Sequence, residues 1–256
     1  MADVVRPSLF SQITVEHGPA ALLGRVFLLC EAQLRERGVS LAFASMSDLG
    51  AVNQAKSDSW APLWSGFNPA FSNLTPDNSF CILGYDRRGD VVTTQAARFL
   101  DWPDTNYQRE AESLRLAYAD PAASKLPGEQ CKVSALAARG VTGRVVNTGA
   151  AWYRRDYRGT GLVSLLPRMV RALAYTRWAT DCSVTMMAEP VVRGNVFPMT
   201  GYCNLEWDVR MFNSRGQIPR FAFLWSKRDE MLDDLTQFLS GFDVSTDAAR
   251  RIVDAQ

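Results

Sequence analysis

The chain has 256 residues, 47% of them hydrophobic and 21% charged, with 28 basic and 27 acidic side chains for a net charge of +1. That length can bury a sizeable core, the composition is that of an ordinary globular protein, and so balanced a charge gives no overall field to draw the chain onto nucleic acid or an anionic membrane. The five cysteines are far apart and never in a CxxC pair, which argues against a disulfide framework and a zinc site, while the single histidine, His17, excludes histidine triads and multi-histidine metal centres.

In chain order, residues 19–37 place Leu22, Leu23, Val26, Phe27, Cys30 and Leu34 at helical spacing, with Gly38 as the stop. A short apolar run, 39–44, follows, and Ser47-Asp48 predicts the N-cap of a helix running towards Trp60. Residues 61–79, rich in Pro, Asn, Ser and aromatics, predict an irregular ordered loop. The clearest hairpin joins 80–85 to 91–100 across the turn 86–90. Residues 104–140 read as mainly helical, broken at Pro121 and Pro127.

A strand over 143–154 then leads into a strongly amphipathic helix marked by Leu162, Leu165, Leu166, Met169, Val170 and Leu173, with Pro167 as an irregularity. A buried strand over 183–188, a brief helix or turn over 195–201, a second hairpin from Leu205 to Trp225 and a C-terminal helix (229–239) with a polar tail complete the order. This is a mixed α/β (α+β) layer fold in one principal domain. Nothing from Met1 to Gln12 forms an apolar leader core, and no stretch approaches the ~18 apolar residues of a membrane span. The expectation is therefore a cytoplasmic protein with no membrane partner.

Chemistry concentrates between Trp152 and Leu162. There a strand enters a glycine-containing turn that opens directly into a helix, leaving backbone N–H groups at the positive end of the helix dipole. Such a turn holds phosphate or pyrophosphate; Gly159 and Gly161 remove the Cβ atoms that would keep a ligand away, and Arg158 adds a charged contact. The Gly-Lys-Ser/Thr ending of a P-loop and the third glycine of a dinucleotide fingerprint are both missing. A plain strand-to-helix turn with glycine for conformational reasons is the competing reading of these residues alone.

Tyr157-Arg158-Gly159-Thr160-Gly161-Leu162-Val163 resembles the acyl-CoA signature of the GNAT acyltransferase superfamily, Arg/Gln-x-x-Gly-x-Gly/Ala at a strand-to-helix junction. Arg158 and Gly161 match it, and Val163 stands where Gly or Ala is usual. The resemblance implies a mostly antiparallel central sheet flanked by helices over 39–226, with helical extensions at 1–38 and 227–256. It implies acetyl-CoA or another acyl-CoA as cosubstrate and no metal. Arg158, Gly159, Thr160, Gly161, Leu162 and Val163 would hold the pyrophosphate, Ala151, Trp152 and Tyr153 the pantetheine arm, and Asn195 would add to the cofactor site.

A small-molecule or peptide amine would be the acceptor, and a homodimer is an allowed assembly. Glu189, at the end of the buried strand before Pro190, is the candidate base, with pairing to Arg193 as the alternative. The family's acid is a Tyr four residues before the Gly of a Gly-Phe pair; here that position is Phe197, so the role falls to Tyr202 or Cys203, or catalysis is weak. Trp60 and Trp64 are candidates to line an acceptor pocket. The alternative function is a GNAT-like binding protein that is catalytically weak or inactive.

Overall fold

The computed structural model describes residues 8–253 apart from Gln217, with side chains as far as Phe242. The chain begins with α1 (Ala20–Glu36), β1 (Ser40–Ala44), α2 (Met46–Ala55), β2 (Ser79–Tyr85) and β3 (Val91–Trp102). Short helices α3 (Tyr107–Glu112) and α4 (Pro121–Ser124) precede β4 (Gln130–Val133) and β5 (Gly143–Tyr153). Then come α5 (Leu162–Trp178), β6 (Cys182–Ala188), α6 (Glu189–Arg193), β7 (Asn204–Phe212), β8 (Arg220–Lys227) and α7 (Arg228–Val253).

The eight strands form one sheet in the order β1-β2-β3-β5-β6-β8-β7-β4. Every neighbouring pair is antiparallel except β5 with β6. This is the mixed, mostly antiparallel sheet that the element order predicts.

Alternation along each strand splits the core. Val146 faces α5, joining Leu162, Leu165, Met169 and Leu173, whereas Val145 joins Tyr107, Val133 and Phe223 on the other face. The α1 residues Leu23, Val26 and Leu34 and the α7 residues Met231, Leu235 and Leu239 lie in the same cluster as α5. α1 thus buries its apolar stripe against α5, and α7 packs on α1 and β8.

Three local expectations are corrected. The N-cap of α2 is Ser45 rather than Ser47-Asp48: the Ser45 hydroxyl accepts from the Asp48 N–H while the Asp48 carboxylate accepts from the Ser45 N–H, a closed capping box. Residues 104–140 are not mainly helical, since α3 and α4 span only six and four residues. In their place β4 adds an edge strand to β7, with Cys131 opposite Met211 and Val133 opposite Val209. The Ala- and Glu-rich composition favours helix, but pairing on a sheet edge and burial of alternate residues override it. The backbone of α7 also continues helical to Val253, past the predicted end at Leu239. Pro167 lies within α5 without ending it.

A buried ionic cluster ties α5 to α7. Asp234 accepts from Arg168 at 2.8 and 2.9 Å and lies 3.5 Å from Arg171, whose side chain is wholly buried. Arg168 also donates to the Met199 carbonyl (2.8 Å) and Arg171 to the Thr200 carbonyl (3.2 Å), fixing the short turn before Gly201. A Cβ on Gly201 would come within 2.5 Å of Asp234 Oδ2 and 2.7 Å of both guanidinium groups. Removing the carboxylate would leave two buried cations with no counter-charge. Asp234→Ala is therefore expected to lower unfolding free energy by about 3–5 kcal/mol, read from urea or guanidinium melts.

Candidate active site

The site begins where the sheet opens. β5 pairs with β3 along its length to Tyr153, and β6 pairs with β8 over its whole length. Between β5 and β6 only three pairs form, Val145–Cys182, Val146–Ser183 and Asn147–Val184. Past Asn147 the strands part, leaving one edge of β5 free of strand partners from Thr148 onward. Ala150 takes a left-handed backbone (φ 51°) where the register with β3 shifts, so β5 carries a bulge on that free edge.

The apex of this fork is polar and buried. The Tyr202 hydroxyl lies 2.8 Å from Thr148 Oγ1 on β5 and 3.2 Å from the Val184 carbonyl on β6, and the Thr185 hydroxyl donates to the Thr148 carbonyl at 2.8 Å. The Arg171 guanidinium lies 4.3 Å above the Tyr202 ring. Burial pushes the Tyr202 phenol up to about 12, against the opposing pull of Arg171 and of the Thr148 hydrogen bond. Phe197, at the position where the resemblance expects a phenol, packs in the apolar cluster around Tyr202.

Beyond its free edge β5 runs into the turn that opens α5. Gly159 (φ 76°) and Gly161 (φ 86°) both adopt left-handed backbone, and Gly161 is the N-cap, with no side chain capping the first-turn amides. The Thr160 hydroxyl donates back to the Tyr157 carbonyl at 2.7 Å, and Arg158 Nε donates to the Tyr153 carbonyl at 3.1 Å. Arg37, from just after α1, donates to the Thr160 carbonyl at 2.6 Å; its Nη2 would lie 3.4 Å from a Cβ on Gly161. An open basin of about 380 Å³ adjoins this turn, lined by Arg37, Arg87, Arg88 and Tyr157 together with Glu36 and with Asp86 and Asp156, both paired to Arg154. An uncapped helix start, two Cβ-free positions and nearby guanidinium groups together suit a polyphosphate. Sequence reasoning found the turn but not Arg37, which is more than 120 residues away along the chain and carries no local signal.

The remaining candidates are dispersed. Trp152 is buried and stacks on Trp60 (5.8 Å between centroids), so it offers the fork only its backbone. Trp60 is thereby spent on packing, while Trp64 lines a cavity at the fork. Ala151 is exposed on β5, and Asn195 is exposed in a left-handed turn (φ 56°) after α6. Glu189 accepts from Arg193 at 2.6 Å and Arg220 at 3.2 Å, so the pairing alternative is present, doubled by a second arginine. Cys203 is exposed and the other four thiols are buried and free. Among the described residues no His/Cys/Asp/Glu cluster could hold a metal, and no helix is long and apolar enough to cross a membrane.

No protein-family model and no curated protein matches the chain. Solved structures similar to it include a spermidine N-acetyltransferase from Vibrio cholerae, at 8% identity over 77% of this chain and 97% of that one (TM-score 0.46). Another is the aminoglycoside acetyltransferase AAC(6')-Ib in complex with coenzyme A and kanamycin, at 12% identity over 75% and 96% (TM-score 0.43). A third is an uncharacterized protein from Bacillus halodurans, at 11% identity over 79% and 91% (TM-score 0.47). Likenesses this distant carry no argument about chemistry, which rests on the residues above.

The buried phenol makes stability pH-dependent. Tyr202 is raised above its unfolded value of about 10, so its contribution is complete below ~pH 10 and is lost as pH rises through about 12. The unfolded state then binds fewer protons than the native one, and stability falls at up to about 1.4 kcal/mol per pH unit for this group. Burial likewise raises Cys30, Cys131 and Cys182 to about 12, adding to the alkaline loss. Urea melts from pH 8 to 11 are expected to fall with pH, and less steeply for Tyr202→Phe.

Proposed function

We propose that this protein transfers an acyl group from an acyl-CoA to an amine. The observation that carries the proposal is the proximity of the fork to the turn: the unpaired edge of β5 leads through one 3-10 turn at Arg155–Tyr157 to the left-handed glycines and uncapped start of α5. An extended amide-bearing arm can pair along that edge while its pyrophosphate rests on the turn. In this assignment Arg158, Gly159, Thr160, Gly161, Leu162 and Val163 hold the pyrophosphate with help from Arg37. Ala151, Trp152 and Tyr153 offer backbone groups to the arm. The basin beside Arg37, Arg87 and Arg88 receives the nucleotide end, and Asn195, exposed after α6, is kept as a further candidate for the cofactor site.

Bound there, acyl-CoA would supply a thioester carbonyl at the fork. The amine nitrogen bonds to that carbon as the carbon–sulfur bond breaks; one proton leaves the nitrogen and one goes to the departing sulfur. Tyr202 is the better-placed proton source of the two catalytic candidates. Its phenol remains protonated at neutral pH and reaches the free edge through Thr148. Glu189 lies at the mouth of the fork with its carboxylate shared by two arginines, which suits holding a rim position as much as accepting a proton. That pairing and the apolar Phe197 favour the second reading, a protein that binds acyl-CoA and turns over slowly or not at all.

Acetyl-CoA at about 100 times its Kd is expected to stabilise the protein by ~2.7 kcal/mol, a rise in Tm of roughly 5–10 °C. Arg37→Ala and Arg158→Ala should each diminish the shift without unfolding the protein. Tyr202→Phe should lower kcat for thiol release in the presence of an amine while leaving the thermal shift in place. A shift with no thiol release from any amine would favour the binding protein, and no shift with any acyl-CoA would sink both.

A further inference from the structure

The fork holds a second feature whose chemistry the acyl-CoA assignment does not use. On the face of the sheet away from α5, a cavity of about 120 Å³ is lined by Asn147–Ala150 of β5, Met186 of β6, Met211, Phe221 and the 62–67 loop with Trp64 and Phe67. Phe67 seats its ring where a Cβ on Gly149 would be, at 2.4 Å, so the loop is locked to the bulged strand.

The walls are apolar, and none of the described lining residues is acidic. Two buried donors on lining residues nevertheless lack partners: Asn147 Nδ2, on a residue only 2% exposed, and Trp64 Nε1. Arg98 is the cross-strand partner of Asn147 on β3 and is buried beside it. It donates to the Leu116 carbonyl at 3.0 Å, the Ser72 hydroxyl at 3.4 Å and the Gly66 carbonyl at 3.5 Å; Nε has no partner, and among the described residues no carboxylate pairs with it.

We propose that this cavity is the amine-acceptor pocket and that it selects a side-chain-sized apolar monoamine with a carboxylate or amide oxygen beside its nitrogen. The inference rests on the acyl-transfer assignment and extends it to the substrate class. A polyamine or aminosugar would bring positive charges to a pocket with no carboxylate and an uncompensated Arg98 behind its floor. A long acyl chain fits the walls but would leave the Asn147 and Trp64 donors buried and unpaired, which is the costly outcome. An oxygen acceptor on the ligand satisfies these donors, and the field of Arg98 favours negative charge on it. The amine of such a ligand would lie against the free edge at Thr148–Ala150.

The test uses the full chain with acetyl-CoA and four amines: L-phenylalanine, L-phenylalaninamide, 2-phenylethylamine and spermidine. Expected is a kcat/KM for the two oxygen-bearing aromatic amines about tenfold or more above that for 2-phenylethylamine, the worth of one hydrogen bond to a buried donor, with spermidine lowest. Asn147→Leu should erase the difference between L-phenylalaninamide and 2-phenylethylamine while the acetyl-CoA thermal shift persists. Spermidine as the preferred amine, or a preference untouched by Asn147→Leu, would overturn the proposal even with acyl transfer intact.

Binding of the inert mimic 3-phenylpropionate, followed by thermal shift without acetyl-CoA, separates the two assignments. A shift abolished by Asn147→Leu supports the pocket even if no acyl-CoA binds. Absence of a shift at millimolar mimic overturns it even if acyl-CoA does.

Discussion

Arg171 is a fully buried charge, and much of the fork is arranged around it. A guanidinium in a dry interior demands a counter-charge and acceptors for its N–H groups. The chain supplies Asp234 from α7, the Thr200 and Pro167 carbonyls and the Ser226 hydroxyl. Meeting those demands brings α5, α7, β8 and the turn before Gly201 to one point. It also fixes Tyr202, whose ring lies under the guanidinium and whose hydroxyl spans from β5 to β6. A cross-link at the point where the strands part is thus anchored to the ionic cluster that joins the two helices.

From that anchor the two halves of the sheet diverge, and each face of the opening has its own chemistry. Towards the start of α5 there are amides, glycines and guanidinium groups, which the proposed assignment gives to the pyrophosphate. Towards the 62–67 loop there are aromatic and thioether walls with a few unpaired donors, a surface for a compact apolar group with an oxygen. The unpaired β5 edge lies between the two. A group-transfer enzyme needs this combination, because donor and acceptor must meet at one point while their distal parts are bound separately.

Sequence legibility followed the range of the forces involved. The glycine turn, the amphipathic stripe of α5 and the hairpin β2–β3 rest on local conformational rules, and each stands where it was expected. The strand β4 was missed because its four residues have no local strand signal beyond alternation; its existence depends on the partner edge offered by β7, some 80 residues later. Arg37 was missed at the glycine turn for the same reason. The pairing of Glu189 with Arg193, the alternative to its reading as a base, involves a near neighbour and is present, but Arg220 comes from a distant strand.

By itself the sequence determined the fold class, the order of its elements outside 104–140 and the glycine turn that opens α5, because these follow from periodicity, capping and the conformational freedom of glycine, all set within a few residues. Only the tertiary structure decided that β5 and β6 separate after three pairs, that Tyr202 rather than position 197 occupies the apex, and that Asn147 and Trp64 line one cavity with Arg98 buried beside Asn147. Those features depend on which distant groups are brought together to compensate buried charge and fill the core, and no local window of residues encodes that.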